Sequence, residues 1–130
     1  MTENSWKLYN PMGDRALTLV EVDSLRAIDE EQYFTLAERN SRERGERRLQ
    51  YLAGRLAAKQ SILSYWPELS HQDVEIRRLP CGAPAVAFSD RSQIANPNFG
   101  LGEWLLSISH TSRYAAAWAN PIGVQPEKLL

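Results

Sequence analysis

A regular stripe of leucines between Ser41 and Trp66 constrains the fold of this chain more than any other sequence feature. The apolar positions recur at spacings of three, four and seven residues, with alanines beside them, at Leu49, Leu52, Ala53, Leu56, Ala57 and Leu63. This spacing puts the leucines on one face of a helix, so it predicts a long amphipathic α-helix packed on a core. We expect Asn40 and Glu43 to cap its start and Pro67 to end it.

The polar face of this helix is interpreted as a solvated surface. Its arginines, Arg42, Arg44, Arg47 and Arg48, alternate with glutamates. Glu38 stands four residues before Arg42, the favourable orientation for an ion pair along a helix. Such exposed pairs each stabilise a helix by only a few tenths of a kcal/mol. The arginine run alone therefore does not indicate a binding site.

Two short apolar runs near the end of the chain predict a β-hairpin. They cover Leu105–Ser109 and Tyr114–Ala119, and the polar segment His110–Arg113 joins them. Short apolar runs on either side of a polar turn are typical of paired strands. We expect Asn120-Pro121 to break the second strand before a third short run begins at Ile122.

A second hairpin is predicted in the middle of the chain. Val74–Leu79 alternates apolar and polar residues, Pro80–Ala83 forms a turn, and Pro84–Phe88 returns as the second strand. The stretch Ser89–Gly102 is polar and contains Asn96-Pro97 and two glycines. That composition predicts a long loop, either mobile or acting as a lid.

The first forty residues give weaker patterns. Trp6–Tyr9 predicts an edge strand, whereas Leu17–Val22 fits either a strand or the first turn of a helix. Asp29 predicts the N-cap of a helix that ends near Asn40. Its inward residues would be Tyr33, Phe34, Leu36 and Ala37. The whole pattern predicts one α+β domain over residues 1–130, in which a long helix packs on a small antiparallel sheet.

Composition excludes several classes of function. Fifteen basic and sixteen acidic residues give a net charge of -1, so no global charge favours nucleic acid or a membrane surface. The single cysteine, Cys81, rules out a disulfide within the chain and suits a reducing compartment. The first ten residues are polar, and the longest apolar runs are too short to span a bilayer. We therefore expect a cytoplasmic protein.

Several short motifs stand in an order and spacing that a known family shares. They are Met12–Leu17, Arg47–Arg55, Cys81–Pro84, Ser109–Thr111 with the alanine-rich strand after it, and the segment 123–127. Together they resemble the N-terminal lobe of the two-lobed 4'-phosphopantetheinyl transferases that activate peptide and polyketide synthases. A weaker resemblance, carried by Leu52–Ser61, is to the one-lobed holo-acyl-carrier-protein synthases.

The resemblance implies an activity and a binding site. Members of this superfamily pass the phosphopantetheine arm of coenzyme A to a serine of an acyl or peptidyl carrier protein. The matching positions imply phosphate contacts from His110 and Arg55, beside Ser109, because a guanidinium suits phosphate oxygens. Backbone at Gly82 and Pro84 would approach the adenine side. Ala83 stands where the family usually has a lysine.

The resemblance also implies a magnesium site, which this sequence only partly matches. Gln125 occupies the position of the principal carboxylate, and Glu127 matches the second acid. When the chain is aligned with the one-lobed enzymes, neutral residues replace an aspartate, a glutamate and a lysine, at Thr18, Gln60 and Ser64. Lys59 is interpreted as a solvated helix residue. Groups that act as a unit are not partly replaceable, so we expect weak or no unaided catalysis.

Two hypotheses from different classes follow. In the first, the chain is a single lobe that keeps part of a coenzyme A site and self-associates or pairs with a second lobe for activity. In the second, it is a non-catalytic protein that recognises a carrier protein or a synthase subunit. An exposed tryptophan within an apolar patch would favour the second hypothesis.

Overall fold

The long helix is the element on which the other elements of the described chain pack. The structure is a computed structural model that describes residues 8–9, 17–95 and 103–122. Helix α3 spans Gly45–Leu63, and Leu52 and Leu56 on its inner face are fully buried. The predicted leucine stripe is therefore confirmed. The helix begins later than predicted, because the chain turns at Gly45 with φ of 60°, which only glycine adopts readily.

Two short helices replace the single helix predicted after Asp29. Asp29 does cap α1, Glu30–Tyr33, but the backbone becomes extended at Phe34, which turns that ring fully into the core. Thr35 then caps α2, Leu36–Arg39, in a reciprocal capping box with Glu38. The prediction that Leu36 and Ala37 pack inward is wrong, since both are exposed.

A four-stranded antiparallel sheet packs against α3. Its strands are β1 (Leu8–Tyr9), β2 (Leu17–Glu21), β5 (Glu103–His110) and β6 (Tyr114–Ile122), in the spatial order β1-β2-β6-β5. The predicted β5–β6 hairpin is confirmed, and the ambiguous run 17–22 forms a strand followed by the 3-10 turn Val22–Ala27. The inner face of β6 carries small buried residues, Ala115, Ala117 and Ala119, which let α3 lie close to the sheet.

The second predicted hairpin is also confirmed, as a separate two-stranded sheet. Strand β3 (Val74–Arg78) pairs with β4 (Pro84–Phe88), with Ile76 opposite Val86. Aromatic rings connect this sheet to the first. Trp66, just after α3, lies 5.6 Å from the Trp104 ring centroid on β5 and 6.3 Å from that of Phe88 on β4.

Two further predictions are wrong. Residues 90–95 form a short helix, α4 (Asp90–Ala95), where a loop was expected, and Ser89 caps it by accepting a hydrogen bond from the Ser92 backbone N–H. Strand β6 also continues through Asn120-Pro121. Its described pairing with β2 ends at Trp118, so the proline lies where only β5 neighbours the strand.

No helix in the described ranges is long and apolar enough to cross a membrane. The observed architecture is the predicted α+β class, with one long amphipathic helix on small antiparallel sheets.

Candidate functional site

A cleft of about 460 Å³ opens between α3, the β3–β4 turn and the end of β5. Four of the five residues predicted to bind coenzyme A line it, namely Arg55, Gly82, Pro84 and His110. They come from three separate parts of the sequence. The fold therefore brings together most of the positions that the resemblance selected.

The floor of the cleft depends on a close approach between α3 and β5. A Cβ atom on Gly54 would lie 2.8 Å from Cγ2 of Ile108, closer than real Cβ contacts allow. A side chain at Gly54 would therefore force the Ile108 side chain or the backbone around it to shift. This contact sets the distance between the helix and His110, two residues beyond Ile108.

Arg55 is the most constrained cation at this site. It is only 6% exposed, and its guanidinium stacks 4.0 Å from the ring centroid of Tyr51. Its Nε atom is buried and has no hydrogen-bond partner among the described residues. Burial lowers the pKa of Arg55, and the nearby charge of Arg78 lowers it further. An anionic ligand would relieve both effects by supplying acceptor oxygens to a positioned guanidinium.

The β3–β4 turn gives the cleft an open backbone wall. Gly82 has φ of 95°, in the left-handed region, and its N–H donates to the Leu79 carbonyl at 2.8 Å. Among the described residues other than its two chain neighbours, no atom lies within 4 Å of where a Gly82 side chain would start. Pro84 begins β4 opposite Arg78. A flat group can therefore approach this turn without displacing a side chain.

The two polar residues at the end of β5 lie on opposite faces of the strand. His110 lines the cleft together with Ile108, two residues before it. Because side chains alternate along a strand, Ser109 points to the other face, and it is not among the residues lining the cleft. The structure thus brings His110, but not Ser109, to the other predicted ligands.

Lys59 is a buried residue, and its interpretation as a solvated helix residue is wrong. It is completely inaccessible, and its Nζ donates to Oε1 of Glu38 at 2.6 Å. Glu38 also accepts from the backbone N–H groups of Thr35 and Ile76. The predicted ion pair between Glu38 and Arg42 does not form, because the chain leaves the helix after Arg39. The Thr35-x-x-Glu38 spacing was a capping-box signal that could have located this glutamate.

The positions aligned with acids in the one-lobed enzymes carry neutral side chains that form hydrogen bonds within the chain. The Thr18 hydroxyl accepts from Ser61 Oγ at 2.7 Å, and Thr18 is buried. Gln60 Oε1 accepts a short hydrogen bond from Nε2 of His71. Burial lowers the pKa of His71 to about 4, with a contribution from the charge of Lys59, so this imidazole is neutral near pH 7.

The described residues do not fit a magnesium site. Magnesium requires several oxygen ligands with carboxylates among them, whereas Thr18 and Gln60 are neutral and already hydrogen-bonded. Within residues 17–95 and 103–122, no cluster of three or more His, Cys, Asp or Glu side chains could hold a metal ion. The two residues predicted to bind metal, Gln125 and Glu127, lie outside the described residues.

Comparisons with known proteins agree with the superfamily that the motifs suggested. A holo-[acyl-carrier-protein] synthase from Gloeobacter violaceus is 32% identical over 97 residues, which cover 72% of this chain and 69% of the relative. The enzyme of the same name from Bacillus subtilis is 34% identical over 109 residues, covering 80% of this chain and 71% of the relative. No protein-family model matches the chain.

Solved structures show the same fold. A holo-(acyl-carrier-protein) synthase from Bacillus anthracis, in complex with CoA (3',5'-ADP), superposes with a TM-score of 0.66 at 25% identity, covering 82% of this chain and 93% of that one. The synthase from Plasmodium yoelii superposes with a TM-score of 0.67. These relatives are of the one-lobed type, to which the sequence showed the weaker resemblance. This chain belongs to the holo-[acyl-carrier-protein] synthase family of 4'-phosphopantetheinyl transferases.

Proposed function

We propose that this protein binds coenzyme A in the cleft between α3, the β3–β4 turn and β5. Arg55 and His110 would contact phosphate oxygens, and the nucleotide end would lie over the turn at Gly82 and Pro84. The observation that carries this proposal is Arg55, a buried guanidinium whose Nε lacks an acceptor among the described residues and which faces the cleft. The Bacillus anthracis relative, solved with coenzyme A, supports the choice of ligand.

The acceptor is proposed to be a serine hydroxyl of an acyl or peptidyl carrier protein, because the relatives are named holo-[acyl-carrier-protein] synthases. In that reaction a bond forms between the serine oxygen and phosphorus, the pyrophosphate bond breaks, and 3',5'-ADP leaves. The serine proton must pass to a base. The described part of the cleft offers His110 for this role, while Arg55 would stabilise charge on the phosphates.

Unaided transfer by this chain is proposed to be weak. Thr18 and Gln60 are neutral and engaged with Ser61 and His71. Ser64 donates its hydroxyl hydrogen to the backbone carbonyl of Ser61 at 2.6 Å, so it supplies no cation. Self-association, or pairing with another lobe that contributes the absent acid and lysine, would complete the site. We also propose that the protein is cytoplasmic.

Isothermal titration of coenzyme A into the purified protein, with and without Mg²⁺, tests the binding step. We expect micromolar affinity that changes less than about threefold when Mg²⁺ is added, since the described cleft supplies cations but only one carboxylate, Glu43. A tenfold gain with Mg²⁺ would show that residues outside the described ranges build a metal site. Absence of any heat would refute coenzyme A binding.

A transfer assay tests the catalytic step separately. Apo-acyl carrier protein is incubated with coenzyme A and the chain, and the mass of the carrier protein is followed by mass spectrometry. The Bacillus subtilis relative, run in parallel, shows that the carrier protein is competent. Slow or absent modification is expected, and modification as fast as with the relative would contradict the proposed weakness.

A second function, non-catalytic binding of a protein partner, is favoured by one observation. Leu105 and Trp118 are 48% and 37% exposed on the face of the four-stranded sheet that points away from α3. Ser107 lies opposite Trp118, so Leu105 is its diagonal neighbour on this face. Sedimentation velocity of apo-acyl carrier protein mixed with the wild type or with Trp118→Gln would show whether this face binds the carrier protein. Binding that is equally strong, or equally absent, with both proteins would argue against this function.

A further inference from the structure

The β3–β4 turn carries the single cysteine of the chain at the border of the proposed coenzyme A cleft. Gly82 and Pro84 line the cleft, and Cys81 directly precedes Gly82. Neighbouring Cα atoms lie about 3.8 Å apart across a trans peptide bond, so the Cys81 backbone is one residue from the cleft wall. Cys81 is exposed and is not among the residues lining the cleft. Its thiol is therefore open to solvent beside the cleft.

Backbone hydrogen bonds hold Cys81 in a tight turn. The N–H of Gly82 donates to the Leu79 carbonyl, and the N–H of Leu79 donates to the Ala83 carbonyl, both at 2.8 Å. Pro80 has a φ angle restricted by its ring, and Gly82 has φ of 95°. The spacing between the cysteine and the cleft is thus set by the hairpin itself.

The neighbouring cleft has its own feature that points to a ligand. Arg55 lines it, is only 6% exposed, and has a buried Nε atom without a hydrogen-bond partner among the described residues. Arg47 and Arg78 also line the cleft. A volume of about 460 Å³ is within the range of small-molecule sites. These cations favour a phosphorylated ligand, independently of the cysteine beside them.

Coenzyme A carries both chemical groups that this arrangement suits. Phosphates lie at its nucleotide end, a thiol ends its other side, and a long flexible arm joins the two. In coenzyme A disulfide, two such arms meet at one sulfur–sulfur bond. A nucleotide bound in the cleft would hold this bond on a tether close to Cys81. Tethering raises the local concentration of the reacting group and so accelerates its reaction.

We propose that Cys81 is a modification site for coenzyme A disulfide, and that the cleft directs the reaction by binding the nucleotide. This inference rests on the proposed function, because it requires the cleft to bind coenzyme A. The Cys81 thiolate attacks one disulfide sulfur, and a new sulfur–sulfur bond joins the cysteine to one coenzyme A. The old bond breaks, and the second coenzyme A leaves as a thiolate that takes a proton from water. Coenzyme A disulfide is itself the oxidant.

Modification at Cys81 would block the cleft reversibly. The attached coenzyme A keeps its own nucleotide at a high local concentration beside Arg55, so free coenzyme A is excluded while the bond lasts. A reducing thiol breaks the mixed disulfide by the same exchange and frees the cleft. The turn would thus make coenzyme A binding depend on the thiol–disulfide balance around the protein.

The test follows adduct formation on the reduced full chain by intact-mass spectrometry. Coenzyme A disulfide and glutathione disulfide are compared at equal concentration, because the second undergoes the same exchange but has no nucleotide. We expect addition of a single coenzyme A, at least tenfold faster than addition of glutathione. Cys81→Ser should form no adduct, and dithiothreitol should remove the adduct from the wild type.

Two further measurements show whether the cleft directs the reaction. Excess 3',5'-ADP should slow the reaction of coenzyme A disulfide with the wild type to about the glutathione rate. Arg55→Met should have the same effect without a competitor. Arg44→Met changes an exposed arginine that does not line the cleft, so its rate should stay within about twofold of the wild type. Competition on the wild type keeps the test decisive even if Arg55→Met folds poorly.

The remaining outcomes separate this inference from the proposed function. Equal rates with the two disulfides, or a rate that 3',5'-ADP does not change, would make Cys81 an ordinary exposed thiol and overturn the inference. Failure of both disulfides to react would also overturn it. In each case, heat released on titration with coenzyme A would leave the proposed function standing. Absence of that heat in the wild type would refute the proposed function and this inference together.

Discussion

Lys59 and Glu38 form an ion pair, 2.6 Å from Nζ to Oε1, in which neither side chain is more than 1% exposed. The pair joins α3 to α2, and Glu38 extends the connection to β3 through the Ile76 N–H. Lys59 also lies 5.4 Å from the centroid of the Phe34 ring. The pair thus holds α2, α3 and β3 together.

Removing one partner of this pair should destabilise the fold strongly. Glu38→Gln leaves a buried ammonium without its counter-charge, and we expect the free energy of unfolding to fall by about 3 kcal/mol. Urea denaturation followed by circular dichroism measures this. The double variant Glu38→Gln/Lys59→Met should recover part of the loss, because no unpaired charge remains. Strict additivity of the two single changes would contradict direct coupling.

The stability of the protein should fall as the solution is acidified below pH 6.5, because of His71. Its pKa is lowered from 6.5 to about 4 in the folded state, so the unfolded chain binds a proton first. Stability contributed by the neutral ring is complete above pH 6.5 and is lost progressively towards pH 4. The full effect is at most about 3 kcal/mol, from 1.36 kcal/mol per pKa unit.

His71→Phe isolates this contribution from that of the carboxylates, which also titrate in acid. Unfolding free energies of wild type and variant are compared between pH 7 and pH 4. The wild type should lose more stability over this range than the variant. Parallel pH profiles would show that His71 is not responsible.

Gly54→Ala should destabilise the protein and distort the cleft. The added methyl would stand 2.8 Å from Ile108 Cγ2, so the Ile108 side chain, β5 or α3 must shift. Overpacking of this kind costs about 1–3 kcal/mol. Thermal denaturation gives the change in stability, and titration with coenzyme A shows whether the cleft still binds its ligand. The Ile108→Ala change removes the methyl that clashes, so Gly54→Ala should destabilise the Ile108→Ala variant less than the wild type. An equal loss of stability in the two proteins would argue against this contact.

Arg55→Met should weaken coenzyme A binding without a comparable loss of stability. Hydrogen bonds to charged groups contribute about 1.5–3 kcal/mol, which corresponds to a loss of roughly ten- to a hundredfold in affinity. The fold loses little because burial of the guanidinium is unfavourable without a ligand. Isothermal titration and urea denaturation measure the two quantities. Arg44→Met, which changes an exposed arginine not lining the cleft, is the control and should bind normally.

Local patterns predicted the elements whose sequence periodicity and packing agree. The leucine stripe of α3, the β3–β4 hairpin and the β5–β6 hairpin were all identified, and the α+β class followed from them. The predictions failed where a tertiary contact overrides local preference. Phe34 interrupts a helix because its ring enters the core, and Pro121 stays within a strand because β5 pairs with it.

In the candidate site, too, the sequence identified some residues and only the tertiary structure revealed others. Sequence motifs selected Arg55, Gly82, Pro84 and His110 one by one, but not Tyr51, whose ring positions the Arg55 guanidinium. Nor could the sequence tell that Lys59 is buried, because a lysine on a helix is usually solvated.

The sequence by itself determined the main secondary structure and the superfamily, since these depend on periodicity and on residue types at fixed spacing. It also selected four residues that the fold brings to one cleft. Only the tertiary structure decided which charged side chains form ion pairs and which stay unpaired. Glu38 and Lys59 neutralise each other across 21 residues of sequence, whereas Arg42, Arg47 and Arg78 form no ion pair among the described residues. Pairing of charges depends on distances in space and on burial, and neither is encoded in the local order of residues.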